Sequence, residues 1–120
     1  MANNIFVYGT LREGERNHWL LEGCTFKGMY DTEPEYELRN FGPFPGMMPW
    51  GNTSVRGEVY EVSDDLLEDL DYHEGHPSFY NRTDVRLKEC SDNIQAYVIS
   101  DHPRYQDKLP IIESGDWRNR

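Results

Sequence analysis

Cysteine is scarce in this chain: Cys24 and Cys90 are the only two, and they lack the spacing of a metal site or a disulfide framework. Both read as core or half-buried thiols, which fits a reducing, soluble compartment such as the cytoplasm. No apolar run approaches the length that spans a bilayer, and nothing near the N-terminus pairs a basic stretch with an apolar core and a cleavage site. Positive charge is also in short supply. With 12 basic against 22 acidic residues the formal charge is −10, and such a field repels phosphodiester backbones, so neither nucleic acid nor membrane is expected as a partner. The chain has no Gly-x-Ser-x-Gly elbow, and the glycine and lysine spacing of phosphate and dinucleotide loops is missing. Nucleophilic serine or cysteine chemistry is therefore unsupported, and no cofactor is expected.

At 120 residues the chain suits one compact domain over residues 1–120. Aromatics at 13% and recurrent Gly and Pro favour a β-rich fold with many loops over a helical bundle. Strand-like stretches are expected at 5–8, 25–30, 36–39, 55–62, 80–87 and 94–100. In the fifth, Thr83, Val85 and Leu87 alternate with Arg82, Asp84 and Arg86, as for a strand with one buried face. About six strands suffice for a small mixed β-barrel, with a few short peripheral helices: an α+β fold. One such helix is expected at 18–21, capped by Asn17 and ended by Gly23. A second begins at Ser63, whose hydroxyl can cap it; Asp64 and Asp65 suit its positive end, and Leu66, Leu67 and Leu70 share a face. Its end is expected near Tyr72, which leaves Glu74 in an irregular turn enforced by Gly75 and Pro77.

Two segments carry chemistry. Ile5 to Tyr8 is an unalternating apolar run that stops at Gly9-Thr10. Gly9 is expected in a backbone conformation closed to other residues, and the amides of such a turn converge and attract a carboxylate or phosphate, with the Thr10 hydroxyl as a further donor. A plain β-turn has the same sequence signature. The second segment is Asp71-Tyr72-His73-Glu74-Gly75, at the end of an acidic stretch from Glu61 that contains no Lys or Arg. Burial, with carboxylates such as Asp71 nearby, is expected to raise the proton affinity of Glu74. Between these lies 41–50, rich in proline, aromatics and methionine. Its three prolines argue against regular pairing, and it is expected as a stiff apolar loop that plugs one end of the barrel, walls a pocket, or does both.

Tyr8-Gly9-Thr10-Leu11-Arg12, Asn17-His18-Trp19, Phe44-Pro45-Gly46, Gly57-Glu58-Val59-Tyr60, Leu70-Asp71 with Glu74-Gly75, and Tyr80-Asn81-Arg82 follow one another in an order that resembles the gamma-glutamylcyclotransferase-like (AIG2-like) family, closest to its gamma-glutamylamine cyclotransferase branch. The resemblance spans Ile5 to Trp117. It implies a mixed barrel and an enzyme that converts a small gamma-glutamyl compound to 5-oxoproline with release of an amine or amino acid. By position, Tyr8, Gly9, Thr10 and Leu11 would hold the glutamyl part and Glu74 would be the catalytic acid/base, with Phe44, Pro45 and Tyr80 as further substrate-binding candidates.

Ring closure within one molecule asks for conformational control and a proton carrier more than an external nucleophile. An α-amino group titrates near 8 and an ordinary Glu near 4.3, so the proton transfer would cost on the order of 5 kcal/mol unless Glu74 is shifted upward. The negative oxygen of the intermediate also needs donors, for which a loop amide or the Tyr80 hydroxyl is a candidate. Read in isolation, Glu74 is an exposed turn residue, Tyr8 and Tyr80 are core aromatics with bonded tips, and Arg12 and Arg82 are surface counter-charges. His73, Glu74 and His76 have ligand-type side chains without metal-site spacing, so no metal is expected. The competing class is a non-catalytic ligand-binding or interaction protein on the same fold.

Overall fold

The computed structural model describes residues 3–99 and 108–120. Its elements run β1 (Asn3–Val7), a 3-10 turn (His18–Leu21), β2 (Thr25–Asp31), β3 (Tyr36–Asn40), β4 (Pro45–Thr53), β5 (Arg56–Val62), α1 (Asp64–Glu74), β6 (Asn81–Val85), β7 (Ile94–Val98) and a short 3-10 turn at Trp117–Asn119. The fold is α+β with few helices. Five strands form a mixed sheet in the order β2-β5-β1-β7-β6, antiparallel except where β1 runs parallel to β7, and β3 and β4 form a separate antiparallel ribbon. The ribbon meets the sheet where the Ile99 N–H, just past β7, donates to the Met47 carbonyl at 2.9 Å. Ser100, expected to end the last strand, lies outside the described residues.

β1 is unalternating because it is covered on both faces. Phe6 and Tyr8 pack with Tyr36, Leu38 and Met47 of the ribbon, while Ile5 and Val7 pack with Leu67 and Leu70 of α1. The same parity splits β7: Ala96 and Val98 face the ribbon side and Tyr97 the helix side. In the C-terminal segment Ile112 and Trp117 join the ribbon-side core, while Ile111 stays largely exposed.

Two expectations are corrected here. The proline-rich segment is not a loop throughout: β4 pairs with β3 from Pro45 onward. Pro45 tolerates this by opening the strand, and Pro49 by lying where the register jumps from the Glu37–Met48 pair to the Tyr36–Thr53 pair, an irregularity that frees it from donating an N–H. The helix also runs two residues further than expected. Gly75, at φ 69°, caps α1 in the left-handed conformation, so Glu74 is its last helical residue. Helical spacing then carries Leu67, Leu70, Asp71 and Glu74 on one side of α1. At its start the Ser63 hydroxyl accepts the Leu66 N–H at 3.2 Å, as expected of a cap.

Candidate active site

The turn after β1 and the end of α1 border one cavity of about 310 Å³. Its walls include Tyr8, Gly9, Thr10, Leu11, Phe44, Pro45, Glu74 and Tyr80, so every site residue singled out in the sequence bounds the same space. The shared location follows from β1 being central: the residues at its C-terminal end border the cavity together with Tyr97 of β7 and with His73 and Glu74 of the last turn of α1.

The turn is held from below. The Arg12 N–H donates to the Gly9 carbonyl (3.0 Å), the Asn17 N–H to the Thr10 carbonyl (3.0 Å), and His18 Nδ1 to the Leu11 carbonyl (2.9 Å). Asn17 makes no side-chain cap for the turn that follows it; its Nδ2 donates to Thr10 Oγ1 at 3.0 Å instead, which leaves the Thr10 hydroxyl proton free to point elsewhere. Among the described residues the amides of Gly9, Thr10 and Leu11 reach no protein acceptor. The reason for glycine at position 9 differs from the one expected. Gly9 does not adopt positive φ; a Cβ there would stand 2.6 Å from Pro45 Cγ, so the residue is small because β4 crosses directly over the turn.

Arg12 is likewise not a surface counter-charge. Only 2% exposed, it donates from Nε to Glu58 (3.0 Å) and from Nη1 to Asp116 (2.9 Å), and Glu58 also accepts from the Glu13 N–H and the Tyr60 hydroxyl. This buried network anchors the turn to β5 and to the C-terminal segment.

Glu74 sits half-buried in the wall of the same cavity. Among the described residues its carboxyl has no hydrogen-bond donor, and burial pushes its pKa up to about 7. Asp71 has no part in that shift. Burial would raise Asp71 as well, but hydrogen bonds from Arg82 (2.9 and 3.0 Å) and the Tyr97 hydroxyl (2.7 Å), with the Arg82 charge, outweigh it and hold the carboxyl below its usual range. Asp64, Asp65, Glu68 and Asp69 are exposed on α1, a solvated face.

Burial raises the phenols of Tyr8, Tyr80 and Tyr97, and the nearby Glu74 charge adds to the rise in each. Their protons are committed: Tyr8 donates to the Tyr97 carbonyl (2.6 Å), Tyr80 to the Pro45 carbonyl (2.7 Å) and Tyr97 to Asp71. Tyr8 and Tyr80 are thus core aromatics with bonded tips and cavity walls at once. The Tyr80 hydroxyl, expected as an oxyanion-donor candidate, has its proton on the Pro45 carbonyl of β4 instead. Phe44 and Phe79 add an apolar wall, their rings edge to face at 5.9 Å. Met47 and Met48 lie in the core and not in the wall.

Arg16, Phe79 and Tyr97 also line the cavity and were not expected there. Strand parity would have found Tyr97, since it points opposite to Ala96 and Val98. Arg16 and Phe79 follow from loop paths that leave no periodic signal. No group of three or more metal-ligand side chains occurs among the described residues, and none of their helices is long and apolar enough to cross a membrane.

Fold and cavity together define a small α+β protein in which free amides and a poorly hydrated carboxyl face one hollow. The family model described as gamma-glutamyl cyclotransferase, AIG2-like, matches residues 5–119. A Vibrio cholerae relative is 38% identical over 120 residues, covering 100% of this chain and 99% of its own. The gamma-glutamylaminecyclotransferase of Rattus norvegicus is 36% identical over 114 residues, covering 81% of this chain and 76% of its own. The crystal structure of an AIG2-like protein from Mus musculus superposes with a TM-score of 0.79 at 31% identity, covering 96% of this chain and 88% of that one. The chain belongs to the gamma-glutamyl cyclotransferase, AIG2-like family.

Proposed function

We propose that this protein cyclises the gamma-glutamyl group of a small amide, releasing 5-oxoproline and an amine or amino acid, with Glu74 as general acid/base and no metal. The observation that carries the reading is the Glu74 carboxyl, which has no donor among the described residues, in the same cavity as the amides of residues 9–11, which reach no acceptor among them. The amides and the Thr10 hydroxyl clamp the substrate α-carboxylate, which turns the α-ammonium toward Glu74. Glu74 takes a proton, the α-nitrogen bonds to the γ-carbonyl carbon, and the amide C–N bond breaks. The two protons lost as the ammonium becomes a lactam N–H end on the released nitrogen, carried one at a time.

Energetics favour this assignment. With Glu74 near 7 and an α-ammonium near 8, the transfer costs about 1.4 kcal/mol in place of roughly 5 for an ordinary glutamate. Tyr8, Tyr80, Phe44 and Pro45 wall the same cavity as Glu74, and burial is what raises its pKa. The purified protein, offered gamma-glutamyl amines and dipeptides, should yield 5-oxoproline in the presence of a chelator. Glu74→Gln should abolish turnover and keep ligand binding. Binding without turnover across the panel would overturn the reading in favour of a non-catalytic binder.

A further inference from the structure

In the cavity wall Glu74 is the one carboxyl and Arg16 the one permanently charged cation among the described residues. Every other described arginine has an acidic or aromatic partner. Arg16 has none among the described residues, although the chain carries a net −10. Its neighbour Glu15 is turned to Arg118 at 3.2 Å, so the nearest carboxylate in sequence is spoken for. An arginine left unpaired in an acidic protein, at the mouth of a cavity, is placed to meet an anion from solution.

The cyclotransferase reading, on which this inference rests, already assigns the charges of the glutamyl head: α-carboxylate to the loop amides, α-ammonium to Glu74. Arg16 remains for a second anionic group, which must lie on the part of the substrate that leaves. A leaving group that carries an extra ammonium finds no carboxylate in the wall once Glu74 is engaged, and Phe44 with Phe79 offers an apolar surface. We propose that Arg16 is a specificity residue that pairs with a carboxylate on the leaving portion, so that the preferred substrates are gamma-glutamyl derivatives of apolar amino acids over those of simple or cationic amines.

A matched pair of substrates isolates that carboxylate: gamma-glutamyl-leucine, and its decarboxylated twin, gamma-glutamyl-3-methylbutylamine. The unchanged protein should turn over the leucine compound with the higher kcat/KM. In Arg16→Ala the ratio of kcat/KM between the two should fall about tenfold, with the loss in KM, and Arg16→Lys should retain part of it. Added salt should raise KM for the leucine compound more than for its twin. Arg16 is exposed, so Arg16→Ala should unfold at the wild-type temperature, and the kinetic comparison is made between folded proteins. An unchanged ratio in Arg16→Ala, an equal loss on both substrates, or a wild-type preference for the amine overturns the assignment and leaves cyclotransferase chemistry standing. No 5-oxoproline from either compound or from a wider gamma-glutamyl panel overturns both.

Discussion

Glu58 and Glu74 are two glutamates drawn away from water, and their surroundings drive them in opposite directions. Burial raises Glu58, but the Glu13 N–H, the Arg12 guanidinium and the Tyr60 hydroxyl donate to it, and together with the Arg12 charge they leave it below the ordinary range. Burial raises Glu74 too, and no donor among the described residues answers it. The first carboxylate is fixed in its charged form and holds the turn after β1. The second is poised between its two forms near neutrality. A buried charge with partners serves as structure, whereas one left without them is free to exchange a proton. Asp71, one helical turn before Glu74, repeats the lesson over a short distance, because Arg82 and Tyr97 complete its hydrogen bonds.

The comparison breaks first at the chemistry. Glu74→Gln should lower kcat for 5-oxoproline formation about a thousandfold, within the range of a lost general acid/base, and equilibrium binding of a gamma-glutamyl ligand should survive. Retained turnover would return Glu74 to the class of structural carboxylates. Next comes the anchored glutamate: Arg12→Ala strands a buried charge at Glu58 and should cost about 3 kcal/mol in chemical denaturation, with loosened binding as the turn loses its support.

A smaller effect tests Glu74 through stability. Its folded pKa, about 7, stands above the unfolded value of 4.5, so the folded state binds more protons between those values. Stability from this group is present below about 4.5 and is lost as pH rises through about 7. Glu74→Gln should therefore be roughly 3 kcal/mol more stable than the wild type at pH 8 and equal to it at pH 4, a difference that urea denaturation at the two pH values resolves. The smallest shift is in the pH–rate profile. The acidic limb of kcat/KM, where Glu74 must be ionised, should fall near pH 7 and stay within about half a unit in Asp84→Asn, an exposed carboxylate outside the cavity wall. A limb near 4 would place Glu74 with the hydrated carboxylates.

Much of the frame was legible along the chain. The unalternating run Ile5 to Tyr8 announced a strand covered on both sides, the alternation of Val85 and Leu87 with Asp84 and Arg86 announced a half-buried one, and Ser63 with two aspartates marked the start of α1. Local rules read these because the cause is local. Where the cause was a distant neighbour, they failed. Gly9 is small because Pro45 crosses it, Pro49 is tolerated in a strand because the register jumps opposite it, and Arg12 is buried because Glu58 and Asp116 await it.

The candidate site divides along the same line. The order of its motifs and the residue types able to clamp an anion and carry a proton are written in the linear chain, since they depend on the chemistry of each side chain. That Glu74 ends a helix, has no hydrogen-bond donor among the described residues, and shares a hollow with the amides of residues 9–11 was decided by tertiary structure alone. Proton affinity is a property of the space around a carboxyl group, and that space is built from residues dozens of positions away.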